Sequence, residues 1–169
     1  MKNTSIQASL ELLGDKFDTN YVTTLLNKKP DYILTKGDLI KSTKQKSDVT
    51  VWGIRIKEAE SVDLDTHLNP IFGFIEQNLD IIKLLNEKID AEWIINAYIT
   101  IRNERTPGMV LTPRQIELAN AIKATIGFDL YAHQYTLEQT SFDQCPLCGN
   151  QLNTREGTGQ GTIFPPDSA

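Results

Sequence analysis

Residues 91–103, AEWIINAYITIRN, constrain the fold more than any other stretch of the chain. Trp93, Ile95, Ala97, Ile99 and Ile101 alternate with Ile94, Asn96, Tyr98, Thr100 and Arg102. Successive side chains of an extended backbone point to opposite sides, so one side of this segment is apolar and the other mixed. Its β-branched and aromatic residues suit a pleated, half-buried surface. A register slip of one residue would carry Asn96, Thr100 and Arg102 into the core, which makes the pairing well specified. The stretch predicts a strand that serves as the spine of the domain, with the rest of the chain covering its apolar side.

The remaining segments read as elements of the same scaffold. Ile6, Ala8, Leu10 and Leu12 alternate with Gln7, Ser9 and Glu11, a first strand that ends at Gly14-Asp15. Asp18 is placed to cap a short helix, with Phe17 and Val22 at the spacing of a hydrophobic staple. Val22, Leu25 and Leu26 form its inner face, and Pro30 stops it. Tyr32-Ile33-Leu34 offers a brief pairing segment that does not count as a main strand, and KSTKQKSD is a polar loop. From Val49 to Lys57 a second strand turns Trp52, Ile54 and Ile56 to one side. Gly53 within it marks a bulge or a close approach.

Leu64, Leu68, Ile71, Ile75, Leu79, Ile82 and Leu85 recur at steps of three or four, the stripe of an amphipathic helix over about residues 65–88. Pro70 and Gly73 interrupt it, so the helix either starts at Asn69-Pro70 or is a kinked pair. A further helix has Leu111 and Ile116 as a staple, Thr112 and Gln115 as a capping box and Pro113 at its first position. Ile116, Ala119, Ile122 and Ile126 are its expected buried stripe, and Gly127 its left-handed cap. Phe128, Leu130 and Ala132 then alternate with Asp129, Tyr131, His133 and Tyr135 in a last strand.

This order, strand and helix in turn, predicts an α+β two-layer sandwich: a four-stranded sheet with helices packed on one face and the other face open. A doubly wound parallel sheet would instead show nearly continuous apolar strands. The α+β domain is expected over residues 1–139. Residues 140–169 read as a C-terminal tail that holds a CxxC turn and then Gly-, Thr- and Pro-rich sequence.

Net charge −5 argues against sequence-independent nucleic-acid binding, which needs a basic face to displace counterions. It suits a basic protein partner. No run approaches the ~20 apolar residues of a membrane-spanning helix, and mean hydropathy is −0.30. The opening MKNTSIQASLELLG lacks the unbroken hydrophobic region of a signal peptide, so the expected compartment is a reducing cytoplasm.

Two groups of residues could carry function. Asn96, Tyr98 and Arg102 on one strand, and Tyr131, His133 and Tyr135 on another, would share the open face if the two strands are neighbours. Tyrosine and arginine are common anchors of protein interfaces; the competing explanation is that tyrosine favours strands and forms cross-strand pairs there. Cys145 and Cys148 have the form of half a zinc knuckle, which His133 with a carboxylate or a second chain could complete; the competing and favoured explanation is a remnant turn or a redox-labile pair. No cofactor is therefore called for. No Gly-rich phosphate loop or GxSxG motif is present, so no catalytic residue is assigned. Asp63 and Asp65 near His67 read as residues of a helix start, and Lys41, Lys44 and Lys46 as a solvated loop. The expected role is therefore non-catalytic protein binding. The alternative is an enzyme or small-ligand site assembled from residues distant in sequence.

LLGDKFDTNYVTTLLNKKP, then Lys36-Gly37-Asp38 and the strand with Trp52, and later IELANAIKATIGFDLYAHQY, together resemble the bacterial domain of unknown function 4279 family over about residues 5–136. The resemblance rests on Gly14, Asp18, Pro30, Gly37, Trp52 and the Gly127 turn, which form the fold rather than perform chemistry. It implies a bacterial α+β domain without an established activity. Through some members suspected to be immunity proteins beside toxin genes, it also implies neutralisation of a cognate toxin; a basic character for that toxin is what the chain's net charge of −5 suits.

Overall fold

The first strand, β1 (Ser5–Gly14), takes the middle of the sheet. It pairs antiparallel with β3 (Thr50–Glu60) on one side and with β4 (Ala91–Ile101) on the other. β2 (Tyr32–Leu34) lies outside β3, and β5 (Thr125–Ala132) lies parallel to β4, giving the order β2-β3-β1-β4-β5. The computed structural model describes residues 3–40, 43–102 and 106–132.

The sheet thus has five strands, not the four that alternation suggests. The fifth is β2, whose three residues are too few to show a period of two. It is held by the register Tyr32↔Gly53, Ile33↔Trp52 and Leu34↔Val51. The 91–103 stretch, expected as the spine, is an inner strand beside the centre; β1 is the strand with two long antiparallel neighbours.

The described residues also form four helices: α1 (Thr19–Leu26), α2 (Leu64–Gln77), α3 (Leu79–Lys88) and α4 (Pro113–Ala121). Asp18 caps α1, its carboxylate accepting from the amides of Asn20 (2.9 Å) and Tyr21 (3.3 Å). The long apolar stripe is a pair of helices, but the break falls at Asn78 rather than at Pro70 or Gly73. The Asn78 side-chain amide donates to the Phe74 carbonyl (2.9 Å), closing α2, and the Asn78 carbonyl accepts from Ile82 to open α3. Pro70 sits within α2 on its exposed side, where a carbonyl left without its N–H partner can reach water.

The capping box of α4 is present in both directions, Gln115 N–H to Thr112 Oγ1 (3.3 Å) and Thr112 N–H to Gln115 Oε1 (2.9 Å). Its inner face differs from the expected one. Gln115, Leu118, Ala119 and Ile122 are buried, whereas Ile116 is 54% exposed. The rotation follows from Gln115, whose side-chain amide donates to Asp65 Oδ1 (3.2 Å) and Asn69 Oδ1 (3.1 Å) on α2. Gly127 is not the cap of this helix. Lys123 takes the left-handed position at φ 57°, and β5 begins at Thr125, before the Phe128 start that alternation indicates.

One apolar core joins the helices to a single face of the sheet. Ile6, Ala8, Leu10 and Leu12 of β1, Trp52 and Ile54 of β3, and Trp93, Ile95, Ala97 and Ile99 of β4 meet buried residues from all four helices. At its centre Trp52 and Trp93 pack edge to face, with centroids 6.3 Å apart. Each indole N–H reaches a helix side chain at 2.9 Å, Trp52 to Thr23 and Trp93 to Asn86, so neither buried donor is left unmet.

Candidate functional site

With the four described helices on one side, no helix among the described residues packs on the opposite face of the sheet. Alternation from the core positions puts Ser9 and Glu11 of β1, Gly53 and Arg55 of β3, Asn96, Tyr98 and Thr100 of β4, and Tyr131 of β5 on this face.

Glu11 is its focus. The residue lies in register with Gly53 on one side and Ile94 on the other, and is only 8% exposed. Its Oε1 accepts from Ser9 Oγ (2.7 Å) and from Tyr98 Oη (3.1 Å), and Asn96 Nδ2 donates onward to Tyr98 Oη (3.3 Å). Among the described residues no cation forms an ion pair with it. A buried carboxylate held by hydroxyls alone is an unusual choice at the middle of a sheet, because desolvation of the charge is costly without a counter-charge.

Tyr32 reaches the same place from the edge strand. Its ring lies across Gly53, where a Cβ would stand 2.3 Å from Tyr32 Cζ, so the missing side chain is what admits the ring. The close approach expected at Gly53 is therefore made by a tyrosine; the β1–β3 irregularity lies between Ile6 and Ala8. The Arg55 guanidinium stacks on the ring at 4.4 Å, and the Arg55 amide is tied to Asp31 (2.8 Å). The Tyr32 hydroxyl is buried facing Glu11 but meets no partner at hydrogen-bonding geometry. Burial, then the Glu11 carboxylate, pushes the Tyr32 phenol far above its ordinary pKa. Burial and the Glu11 charge also raise that of Tyr98. Both phenols are thus kept protonated as donors.

Beside Glu11 the face dips into a hollow of about 390 Å³ lined by Leu13, Asp15, Val49, Asp90, Glu92 and Ile94 among others. Its walls are apolar and its rim is acidic. A second hollow, of about 320 Å³, opens at Asn86, Trp93 and Lys123. There Asn86 is already engaged, accepting from Trp93 and donating to the Ile122 carbonyl (2.9 Å).

The residues expected to bind a partner are only partly brought together. Asn96 and Tyr98 stand in the Glu11 cluster, and Tyr131 lies on the same face, 54% exposed, in register with Thr100. Gly127 in β5 faces Asn96, whose Oδ1 lies 2.3 Å from where a glycine Cβ would be, so the amide occupies that space. Arg102 is elsewhere. It sits past the end of β4, its backbone bonded to Thr4 Oγ1 (3.0 Å) and its charge beside Glu60. Glu60's carboxyl is held below its usual range chiefly by Asn3, with Arg102 a smaller contributor. His133, Tyr135, Cys145 and Cys148 lie outside the described residues.

Glu11, Ser9, Tyr32 and Arg55 were not singled out by sequence. A glutamate on the mixed side of an alternating strand reads as solvated, and only the two neighbouring strands bury it. Asp63 does cap α2, accepting from the Asp65 amide (3.1 Å) and the Thr66 hydroxyl (2.6 Å). His67 on α2 is buried with both ring nitrogens unpartnered, and burial lowers its pKa against the smaller, opposing pull of Asp63.

The segments that build this face all fall within a family match: residues 4–133 fit the model of a domain of unknown function, DUF4279. The chain belongs to the DUF4279 family. The match bears out the resemblance read from Gly14, Asp18, Trp52 and the Gly127 segment, and it covers β1 to β5 of this DUF4279 domain. No curated protein and no solved structure matches the chain. Among the described residues no group of three or more His, Cys, Asp or Glu is placed to hold a metal ion, and no helix is long and apolar enough to cross a membrane.

Proposed function

We propose that the open face of the sheet binds a protein partner of basic character, and that the domain acts by occupying that partner rather than by turning over a substrate. The observation that carries this reading is Glu11: a carboxylate nine-tenths buried on the helix-free face, set beside Tyr32 and Tyr98 and without an ion pair among the described residues. Tyr98 and Tyr131, with Asn96 between the strands, supply the kind of anchors that dominate binding energy at interfaces. The acidic balance of the chain, −5, favours a basic partner and fast, salt-sensitive association. Neutralisation of a basic toxin in a bacterial cytoplasm is the setting we propose for this surface.

Such a complex should bury on the order of 800 Å² per partner. The test is co-expression with the product of the adjacent gene, read by growth rescue and by sedimentation of the complex. Tyr98→Ala combined with Tyr131→Ala should weaken the complex by about tenfold or more while the chain stays folded, its stability falling by no more than about 1–2 kcal/mol. A double variant that binds and protects like wild type would remove the sheet face from consideration.

A further inference from the structure

Glu11 uses only one of its two oxygens: both hydroxyl donors, Ser9 and Tyr98, meet Oε1. No hydrogen bond among the described residues ends on Oε2, and beside the carboxylate the Tyr32 hydroxyl faces Glu11 from just outside bonding geometry. Arg55, the cation stacked on Tyr32, forms no ion pair with Glu11. A carboxylate with one unused oxygen and no ion pair among the described residues, beside a phenol whose lone pairs are unused, is a site short of positive charge.

We infer that Glu11 receives an arginine side chain presented by the partner, an inference that rests on the open face being a protein-binding surface. A guanidinium is planar, carries five N–H donors in a fixed fork and keeps its charge when desolvated, so one group can serve both Glu11 Oε2 and Tyr32 Oη. Tyr32 already accepts a guanidinium on its ring, from Arg55 at 4.4 Å, so the aromatic surface suits that group. Leu13 and Ile94 flank Glu11 and continue into the neighbouring hollow, giving the aliphatic stem of an arginine an apolar wall to lie on. An ammonium, round and strongly hydrated, makes poorer use of two adjacent acceptors.

The probe is L-arginine amide, titrated into the full-length ¹⁵N-labelled chain, with citrulline amide as the uncharged isostere and lysine amide as the alternative cation. Saturable shifts of the Gly53, Glu11 and Asn96 amides with arginine amide, absent with citrulline amide and weaker with lysine amide, are the expected result. Glu11→Gln still accepts from Ser9 and Tyr98, so it should stay folded, and it should weaken the arginine response by about tenfold. Tyr32→Phe keeps the ring and should weaken it by a smaller factor. Equal responses to arginine and citrulline amides, or an unchanged affinity in Glu11→Gln, overturn the inference. In the co-expressed complex the two ideas separate. If Tyr98→Ala with Tyr131→Ala breaks the complex but Glu11→Gln does not, the arginine anchor falls and the binding face stands; if neither breaks it, the face falls as well.

Discussion

Trp93→Ala puts the assignment of the two sheet faces at stake. Trp93 is 1% exposed at the start of β4, its ring set edge-on to Trp52 at 6.3 Å and its indole N–H bonded to Asn86 at 2.9 Å. Truncation to alanine removes the transfer energy of the ring and leaves a cavity, together about 3–5 kcal/mol for an aromatic core residue. Of that, about 0.5–1.5 kcal/mol belongs to the aromatic pair itself. Asn86 loses its donor but lines an open hollow, so water can replace the indole and the orphaned acceptor adds little. Trp93→Phe keeps most of the packing and should cost well under half as much. Tyr98→Ala, on the opposite face of the same strand, loses a half-buried ring and one bond to Glu11, and should cost about 1–2 kcal/mol. Denaturant melts followed by far-UV circular dichroism measure all three, with Trp52→Phe as the partner in a double-mutant cycle. A loss for Tyr98→Ala equal to that for Trp93→Ala would mean that the faces have been assigned the wrong way round.

Burial holds the His67 pKa below its ordinary value of about 6.5, so the unfolded chain takes up a proton before the folded one and stability falls as pH drops through that window. His67→Leu, which also removes two unpartnered ring nitrogens, should melt at or above the wild-type temperature near neutral pH and lose less on acidification to about pH 5; identical pH slopes in the two proteins would refute this. Gly53→Ala should drive the Tyr32 ring off β3, read as loss of its contact with Gly53 by NMR, because the new Cβ would lie 2.3 Å from Cζ; a Tyr32 environment that does not change contradicts the close-packing argument. Deleting residues 140–169 should leave the domain folded with a nearly unchanged melt, since the apolar pattern ends near Tyr135. Metal analysis of the full chain decides whether Cys145 and Cys148 hold zinc: less than one ion per two chains excludes both completions considered for that site.

The local features were legible because local rules write them. Asp18 as a cap, the Thr112–Gln115 box with Pro113 inside it, and the inward faces of residues 6–12 and 93–99 all depend on backbone geometry within a few residues. A period of two tells which side of a strand is apolar, but not which strand lies beside it. Sheet order and helix packing therefore came only from the tertiary structure, and three results follow from them. Tyr32–Leu34 became a strand because β3 offered a free edge and Gly53 offered room for a ring. Gly127, read as a helix cap, sits in β5 because the space a side chain would need is taken by Asn96 of β4. Ile116 turned outward because Gln115 found two acceptors on α2, residues some fifty positions earlier in the chain. Glu11 is the strongest case. Its position on the mixed face is written in β1, but its burial and its tyrosine neighbours arise from β2, β3 and β4 converging on it, which no window of sequence around residue 11 contains.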